Sequence, residues 1–366
     1  MAKPQQPELH RSGHTAADPA STKTSAEVAG APESGGATGP IPVDNLPGHH
    51  PEHEQDKPEG PPRVGTRPRR TSAKQTNLTT QIEIPVGDMT FRALASGPPD
   101  GEIVLLLHGF PQTSAAWRPQ LTALAKAGYR VIAPDQRGYS PGARLPRASD
   151  YRLDKLTGDV FGMAEALDAD GFHLVGHDWG GIVAWAAAAA KPERVFTLSV
   201  LSTPHPRAYL DALPRSVQGL RSLYIGLFAL PMVPEFLLGA GGGAGLRRML
   251  AGSGLPSDSV ETYTRAMSEP GALSAALNWY RALRPGLARG VGPVNVPTLY
   301  IWSDGDVALG RAAATATGRY VTGEYRFEVM EGVSHWIPEL EPDRVSELLL
   351  EQVSIDRPAS RQARAR

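Results

Sequence analysis

The chain has 366 residues, room for one large α/β domain or two small ones, and one is the simpler reading. Its 37 Lys and Arg balance 38 Asp and Glu to a formal net charge of -1, so no global field gathers nucleic acid or an anionic membrane. Cysteine is absent, which excludes disulfides, thiolate metal sites and a cysteine nucleophile, and suits a reducing cytoplasm.

The first residues, Met1 to Pro7, have no apolar run behind Lys3, and no later stretch is long enough to span a bilayer. A soluble, cytoplasmic protein acting on a small neutral or apolar molecule is expected. Residues 1–76 hold almost no large apolar side chains: Ala31 to Pro40 is Pro- and Gly-rich, and Arg67-Pro-Arg-Arg70 is basic. Such a segment buries too little surface to offset its ordering entropy, so a disordered tail is expected. The histidines in it (His10, His14, His49, His50, His53) have no folded frame to hold a metal. Residues 356–366 read as a basic fray.

From residue 77 short apolar runs alternate with helical patterns, the signature of a mostly parallel sheet with crossover helices. Ile82 to Val86 and Met89 to Ala95 form an antiparallel opening pair about Gly87-Asp88. Six buried strands follow: Ile103–Leu107, Arg130–Ala133, Phe172–Val175, Val195–Leu201, Thr298–Trp302 and Tyr325–Val329, giving eight in all. Leu156, Val160, Met163, Ala164 and Leu167 recur at helical spacing, and Ile182 to Ala190 is an alanine-rich helix. The rhythm breaks at 206–293, which reads as a helical cap interrupted by Gly239-Ala-Gly-Gly-Gly243. The expected core is therefore split into residues 77–205 and 294–355.

Chemistry concentrates where Phe172-His-Leu-Val175 runs into Gly176-His-Asp-Trp-Gly-Gly181 and then a helix. This is the strand, sharp turn and helix of a nucleophile elbow, with Asp178 in the place usually held by serine. A carboxylate, with a reference pKa of about 3.9, is ionised at neutral pH and attacks without a base. It suits displacement at saturated carbon, as in an epoxide or a carbon-halogen bond, because the resulting ester can be cleaved by water. The plainer reading of Asp178 is a helix N-cap. The chain order nucleophile, acid, histidine is completed by Ser303-Asp304-Gly305-Asp306, in which either aspartate can orient an imidazole, and by His335 in Ser334-His-Trp336. His335 is the expected base for water. His173 lies inside a strand and His205 in a turn. The loop of Leu107-His-Gly-Phe-Pro111 supplies one oxyanion donor, the Phe110 N–H, and Trp179 after the nucleophile supplies the other.

On four segments, His108-Gly-Phe-Pro111, Asp135-Gln-Arg-Gly-Tyr139, Gly176-His-Asp-Trp-Gly-Gly181 and Asn278-Trp-Tyr-Arg281, residues 78–354 resemble the α/β-hydrolase superfamily and specifically its epoxide hydrolase branch. The resemblance implies an α/β-hydrolase fold with an eight-stranded, mostly parallel sheet under a helical cap, and hydrolysis of a small apolar epoxide by water to a diol, without cofactor or metal. It implies Asp306 as the acid, and Tyr280 and Tyr224 as cap donors to the epoxide oxygen. Asp135 and Arg137 become loop scaffold, and a cis bond is expected before Pro111. Two departures stand out: Ser140-Pro-Gly142 follows Arg-Gly-Tyr, and the glycine run at 239–243 alters the cap. Tyr209 and Tyr263 are spare candidates for the cap donors. The nearest rival is a dehalogenase using the same aspartate. Against it, haloalkane dehalogenases usually carry Asn where Phe110 stands, and fluoroacetate dehalogenases Arg where Trp179 stands. A serine would suit an ester hydrolase better, and a binding protein on this scaffold would be expected to lose part of the triad.

Overall fold

The computed structural model describes residues 78–214, 219, 223–283 and 290–355. The expected tail (1–76) and fray (356–366) lie outside them. Eight strands form one sheet in the order β1-β2-β4-β3-β5-β6-β7-β8: β1 (Thr80–Val86), β2 (Met89–Ser96), β3 (Ile103–Leu107), β4 (Arg130–Pro134), β5 (Phe172–His177), β6 (Val195–Leu201), β7 (Thr298–Ser303) and β8 (Tyr325–Met330). The opening pair is antiparallel, as is β2 on β4, and the remaining pairings are parallel. Every residue of β3 and β5 is buried. Unbroken apolar runs such as Ile103-Val-Leu-Leu-Leu107 are what central parallel strands need when both sheet faces are covered.

Helices α1 (Arg118–Lys126), α2 (Leu153–Ala166) and α3 (Trp179–Ala190) fill the crossovers of the first half. Between β6 and β7 lie α4 (Pro206–Ala212), α5 (Leu223–Ala229), α6 (Val233–Gly252), α7 (Ser257–Met267) and α8 (Ala272–Arg281). The glycine run breaks α6: Gly241, Gly242 and Gly243 sit at φ 62, 67 and 85. After β7 come α9 (Arg311–Ala316), α10 (Ile337–Leu340) and α11 (Pro342–Val353). Helix α11 packs on α1, and α2 packs on α3. No helix among the described residues is long and apolar enough to cross a membrane.

The sheet order reverses at β3, which has β4 on one side and β5 on the other. Loops leaving the carboxyl ends of β3 and β5 therefore diverge and open a crevice, the usual place for a ligand in such sheets. Both loops singled out in the sequence, at Phe110 and at Asp178, leave from this point. Several strand ends differ from the sequence reading by one or two residues, and two differences bear on the site. Strand β5 runs two residues further, to His177, and α3 starts at Trp179 instead of Ile182. The turn between them consists of Asp178 alone.

Candidate active site

Asp178 has φ 51 and ψ -120, a backbone region that costs a non-glycine residue about 1–3 kcal/mol and persists only where the surroundings enforce it. The enforcement comes from close packing. A Cβ on Gly180 would lie 2.6 Å from the carbonyl oxygen of His108 and closer still to that of Leu107, so glycine lets α3 start against the end of β3. The Asp178 carbonyl caps α3 by accepting from Gly181 N (2.9 Å) and Ile182 N (3.2 Å), and it also accepts from Thr203 Oγ1 (2.8 Å). The Asp178 side chain makes no capping bond, which disposes of the plainer reading of this residue and leaves its carboxylate free.

That carboxylate is held from two sides. The Phe110 N–H donates to Oδ1 at 2.7 Å, and His335 Nε2 stands 3.6 Å from Oδ2. On the other face of the imidazole, Nδ1 is 2.7 Å from Asp306 Oδ2, while Asp306 Oδ1 accepts from Ala308 N (2.8 Å) and Leu309 N (2.9 Å). The choice left open between the two aspartates is thereby resolved geometrically. Asp304 faces outward, accepting from Gly332 N at 2.7 Å with Arg311 at 3.7 Å. Burial pushes the Asp178 carboxyl up, but His335, His177 and the Phe110 N–H outweigh it and hold it below the ordinary carboxylate value. For His335 burial pulls down, yet Asp306 and Asp178 together raise the imidazole well above its ordinary range. Both carboxylates therefore favour the protonated form of the ring.

The oxyanion loop is built by its own buried groups. The Phe110–Pro111 bond is cis. His108 Nε2 accepts from Gln136 N (3.2 Å), so Nδ1 is the protonated nitrogen and donates to Gly109 O (2.9 Å). Gly109 N donates to Gln112 Oε1 at 2.8 Å. Trp179 opens α3, where a backbone N–H has no intrahelical acceptor and stays available above the turn. Asp135 accepts from Arg92 (2.7 Å) and Ser114 N (2.7 Å), and Arg137 pairs with Asp159 (2.7 and 2.5 Å), so both act as scaffold.

The helices between β6 and β7 bring aromatic side chains over this crevice. Tyr280, buried on α8, packs edge-on against Phe110 (ring centroids 5.3 Å) and Trp179 (5.0 Å). The half-buried Tyr224 on α5 has its ring 6.3 Å from that of Tyr280. Burial raises both phenols well above their ordinary value, and the charge of Asp178 raises both further, so both hydroxyls stay protonated. Tyr263, a spare candidate, is committed elsewhere: its hydroxyl donates to Glu339 Oε1 at 2.7 Å. Tyr209 lies on α4. His173 is bound to Thr197 (2.8 Å) and His205 to Gly292 O (3.1 Å), so neither joins the cluster.

Three polar residues beneath the site went unread in the sequence: Gln112, His177 and Glu339. His177 Nδ1 is 2.8 Å from Gln112 Oε1, its Nε2 is 2.9 Å from His335 O, and Gln112 Nε2 donates to Glu339 Oε1 at 2.7 Å. The first two adjoin recognised motifs, and position in the motif is the signal that could have found them. Glu339 has no such signal, because it lies four positions past His335 on an unremarkable short helix.

An elbow at the end of β5, an acid after β7 and a histidine after β8 are the layout of an α/β-fold hydrolase. Comparison with known proteins agrees. The family model described as alpha/beta hydrolase fold matches residues 102–342. The chain is 39% identical over 269 residues to the AB hydrolase superfamily protein YfhM of Bacillus subtilis, covering 72% of this chain and 94% of that one. It is 32% identical over 307 residues to human epoxide hydrolase 4, covering 80% and 84%. Among solved structures, an epoxide hydrolase of Bacillus megaterium crystallised with an inhibitor superposes with a TM-score of 0.69 at 25% identity, over 75% of this chain and 100% of that one. Epoxide hydrolase A of Mycobacterium thermoresistibile gives 0.66 at 25% identity, over 75% and 98%. The chain belongs to the α/β hydrolase fold family, in its epoxide hydrolase branch.

Proposed function

We propose that this protein hydrolyses small apolar epoxides to vicinal diols through a covalent ester on Asp178. The observation that carries the reading is an ionised carboxylate at the elbow, with a histidine-acid pair behind it and two protonated tyrosines in the aromatic cluster over it, Tyr280 packed on Phe110 and Trp179 and Tyr224 beside Tyr280. The human, B. megaterium and M. thermoresistibile relatives are named epoxide hydrolases, which supports the same reading. In this account residues 77–205 and 294–355 form the catalytic core, and 206–293 the cap that carries Tyr224 and Tyr280.

In the first half-reaction an Asp178 oxygen attacks an epoxide carbon, the carbon-oxygen bond of the ring breaks, and the released oxygen takes a proton from Tyr280 or Tyr224. The product is an ester. Esterification removes one of the two carboxylates that favour a proton on His335, so the proton affinity of the ring falls; its proton passes to the tyrosinate left by ring opening, which restores the phenol and frees the imidazole to serve as a base. His335, oriented by Asp306, then takes a proton from water as the water oxygen adds to the ester carbonyl carbon. The Phe110 and Trp179 N–H groups receive the developing oxyanion. Collapse breaks the acyl carbon-oxygen bond, the departing alkoxide takes the proton of the new Asp178 carboxyl group and leaves as the diol with the former Asp178 oxygen, and the water oxygen remains on the Asp178 carboxylate while His335 keeps the proton drawn from water.

A single turnover with styrene oxide in heavy-oxygen water tests this directly. Heavy oxygen in the Asp178 peptide and an unlabelled first-turnover diol are the expected result. Label in the diol with none in Asp178 would mean direct attack by water. Halide release from a haloalkane panel with no diol from epoxides would transfer the site to dehalogenation.

Gly109→Ala gives a second test. Its Cβ would overlap the Asp178 carboxylate, with Asp178 Cγ at 2.8 Å. Displacing the nucleophile by about 1 Å costs roughly 10²-fold in rate, so diol formation should fall by at least that much in a protein that still folds. A variant as fast as the parent would show that this approach does not position the nucleophile.

A further inference from the structure

Glu339 is a buried carboxyl that the mechanism above does not use. On α10, its Oε1 accepts from Gln112 Nε2 and from Tyr263 of α7, each at 2.7 Å, and its Oε2 is buried without a hydrogen-bond partner. An apolar side chain would fill this place without the desolvation penalty of a carboxylate, so the charge needs a reason.

The bonds indicate one. Gly109 N donates to Gln112 Oε1, which fixes the Gln112 amide with its NH2 toward Glu339. His177 stands between that same oxygen, 2.8 Å from its Nδ1, and the main-chain oxygen of His335, 2.9 Å from its Nε2; with one ring proton it donates to one of these two acceptors at a time, and Ser202 Oγ also reaches the His335 oxygen at 3.0 Å. A continuous row thus runs from the cap, through Glu339, Gln112 and His177, to the backbone of the proposed base. Electrostatics run the same way. The charge of His335 acts on Glu339, and His177 stays neutral, pushed down to about 3 by burial and by the neighbouring His335. When Asp178 becomes an ester, its charge disappears, and the imidazolium formed at His335 keeps only Asp306 in direct contact.

We propose that Glu339 is a positioning residue of the ester-hydrolysis half-reaction, holding Gln112 and His177 against the His335 loop and supplying the second negative charge that stabilises the His335 imidazolium once Asp178 is esterified. The inference rests on the function proposed above. Burial pushes the Glu339 carboxyl up to about 7, against the bonds from Gln112 and Tyr263, so its charge appears within the working range of pH. The titratable groups facing it are Tyr263 from α7 and His335 from the loop after β8, with His177 of β5 reached through Gln112. Tyr263 is held well above its ordinary value by burial and by Glu339 itself, and remains a neutral donor. The pH dependence therefore belongs to Glu339.

Glu339→Gln keeps an oxygen for Gln112 and Tyr263 but cannot ionise. Rapid-quench single turnovers with styrene oxide, from pH 5.5 to pH 9 (, roughly the span over which such groups titrate), separate ester formation from ester hydrolysis. The expected result is an unchanged rate of ester formation. The ratio of wild-type to variant hydrolysis rates should be near one below about pH 6 and rise through neutrality to roughly fivefold, the size of one charge acting at a distance through the protein. The wild type alone should show the matching inflection near pH 7. Glu339→Ala, which also releases Gln112, should slow hydrolysis at every pH. A ratio that does not vary with pH would overturn the inference, because a merely structural role lowers the rate uniformly. Absence of any ester in the wild type would instead overturn the function on which the inference rests, and the inference with it.

Discussion

A His335→Gln protein mixed with styrene oxide will form the Asp178 ester and keep it. Ester formation asks only for an ionised carboxylate, and Asp178 retains the Phe110 N–H at 2.7 Å when the imidazole is gone. Ester hydrolysis asks for a base. In the proposed mechanism that base is created by the reaction itself: two carboxylates favour a proton on His335 against the effect of burial, and esterification removes one of them. Without the imidazole nothing accepts the proton of the attacking water, and a positioned general base contributes about 10²–10⁴-fold. Intact-protein mass spectrometry should show stoichiometric addition of one substrate, located on the Asp178 peptide, while steady diol release falls by that factor. Diol release at the parent rate would remove His335 from the mechanism. Asp306→Asn should resemble His335→Gln in kind but be milder, because the ring persists and only its orientation and charge partner are lost.

The second large effect is expected on the other half-reaction. Tyr280→Phe keeps the ring that packs on Phe110 and Trp179 and removes the hydroxyl, so the fold is preserved and a proton donor is lost. Opening the epoxide without a donor leaves an unprotonated alkoxide in a buried site. Ester formation should slow by about 10²-fold for Tyr280→Phe, with somewhat less for Tyr224→Phe because Tyr224 is more open to water. The double variant should lose more than the product of the two single effects, since each hydroxyl covers part of the loss of the other. Hydrolysis of an ester already formed should not change. Stopped-flow and quench measurements separate the two rates, and ester formation in Tyr280→Phe at the parent rate would reduce Tyr280 to a packed aromatic.

Both predictions concern residues named from the sequence, and the reason they could be named is local. Asp178 was found because the strand, turn and helix around it are encoded in ten consecutive residues, with glycines wherever backbone approaches backbone. Phe110, Trp179 and His335 followed because each lies within a few residues of the end of a strand that is legible in the sequence. Central parallel strands announce themselves by hydrophobicity alone.

Elsewhere the sequence was silent. The choice between Asp304 and Asp306 depended on a loop that turns one carboxylate toward His335 and the other toward Arg311, two residues apart in a stretch with no periodicity. Tyr263 and Tyr280 look equivalent as cap tyrosines until the packing of α7 commits the hydroxyl of Tyr263 to Glu339. The sequence by itself determined the sheet, the elbow and the reacting groups, because these follow from hydrophobic patterning and from turn residues close together in the chain. The residues alone left Asp304 and Asp306 open and only the family resemblance pointed to Asp306, Tyr280 and Tyr224; the tertiary structure puts Asp306 against His335 and Tyr280 against Phe110 and Trp179, and only it disclosed the row from Glu339 to His335. Those are contacts between side chains far apart in sequence, and their geometry is set by how separate elements pack, which no local pattern records.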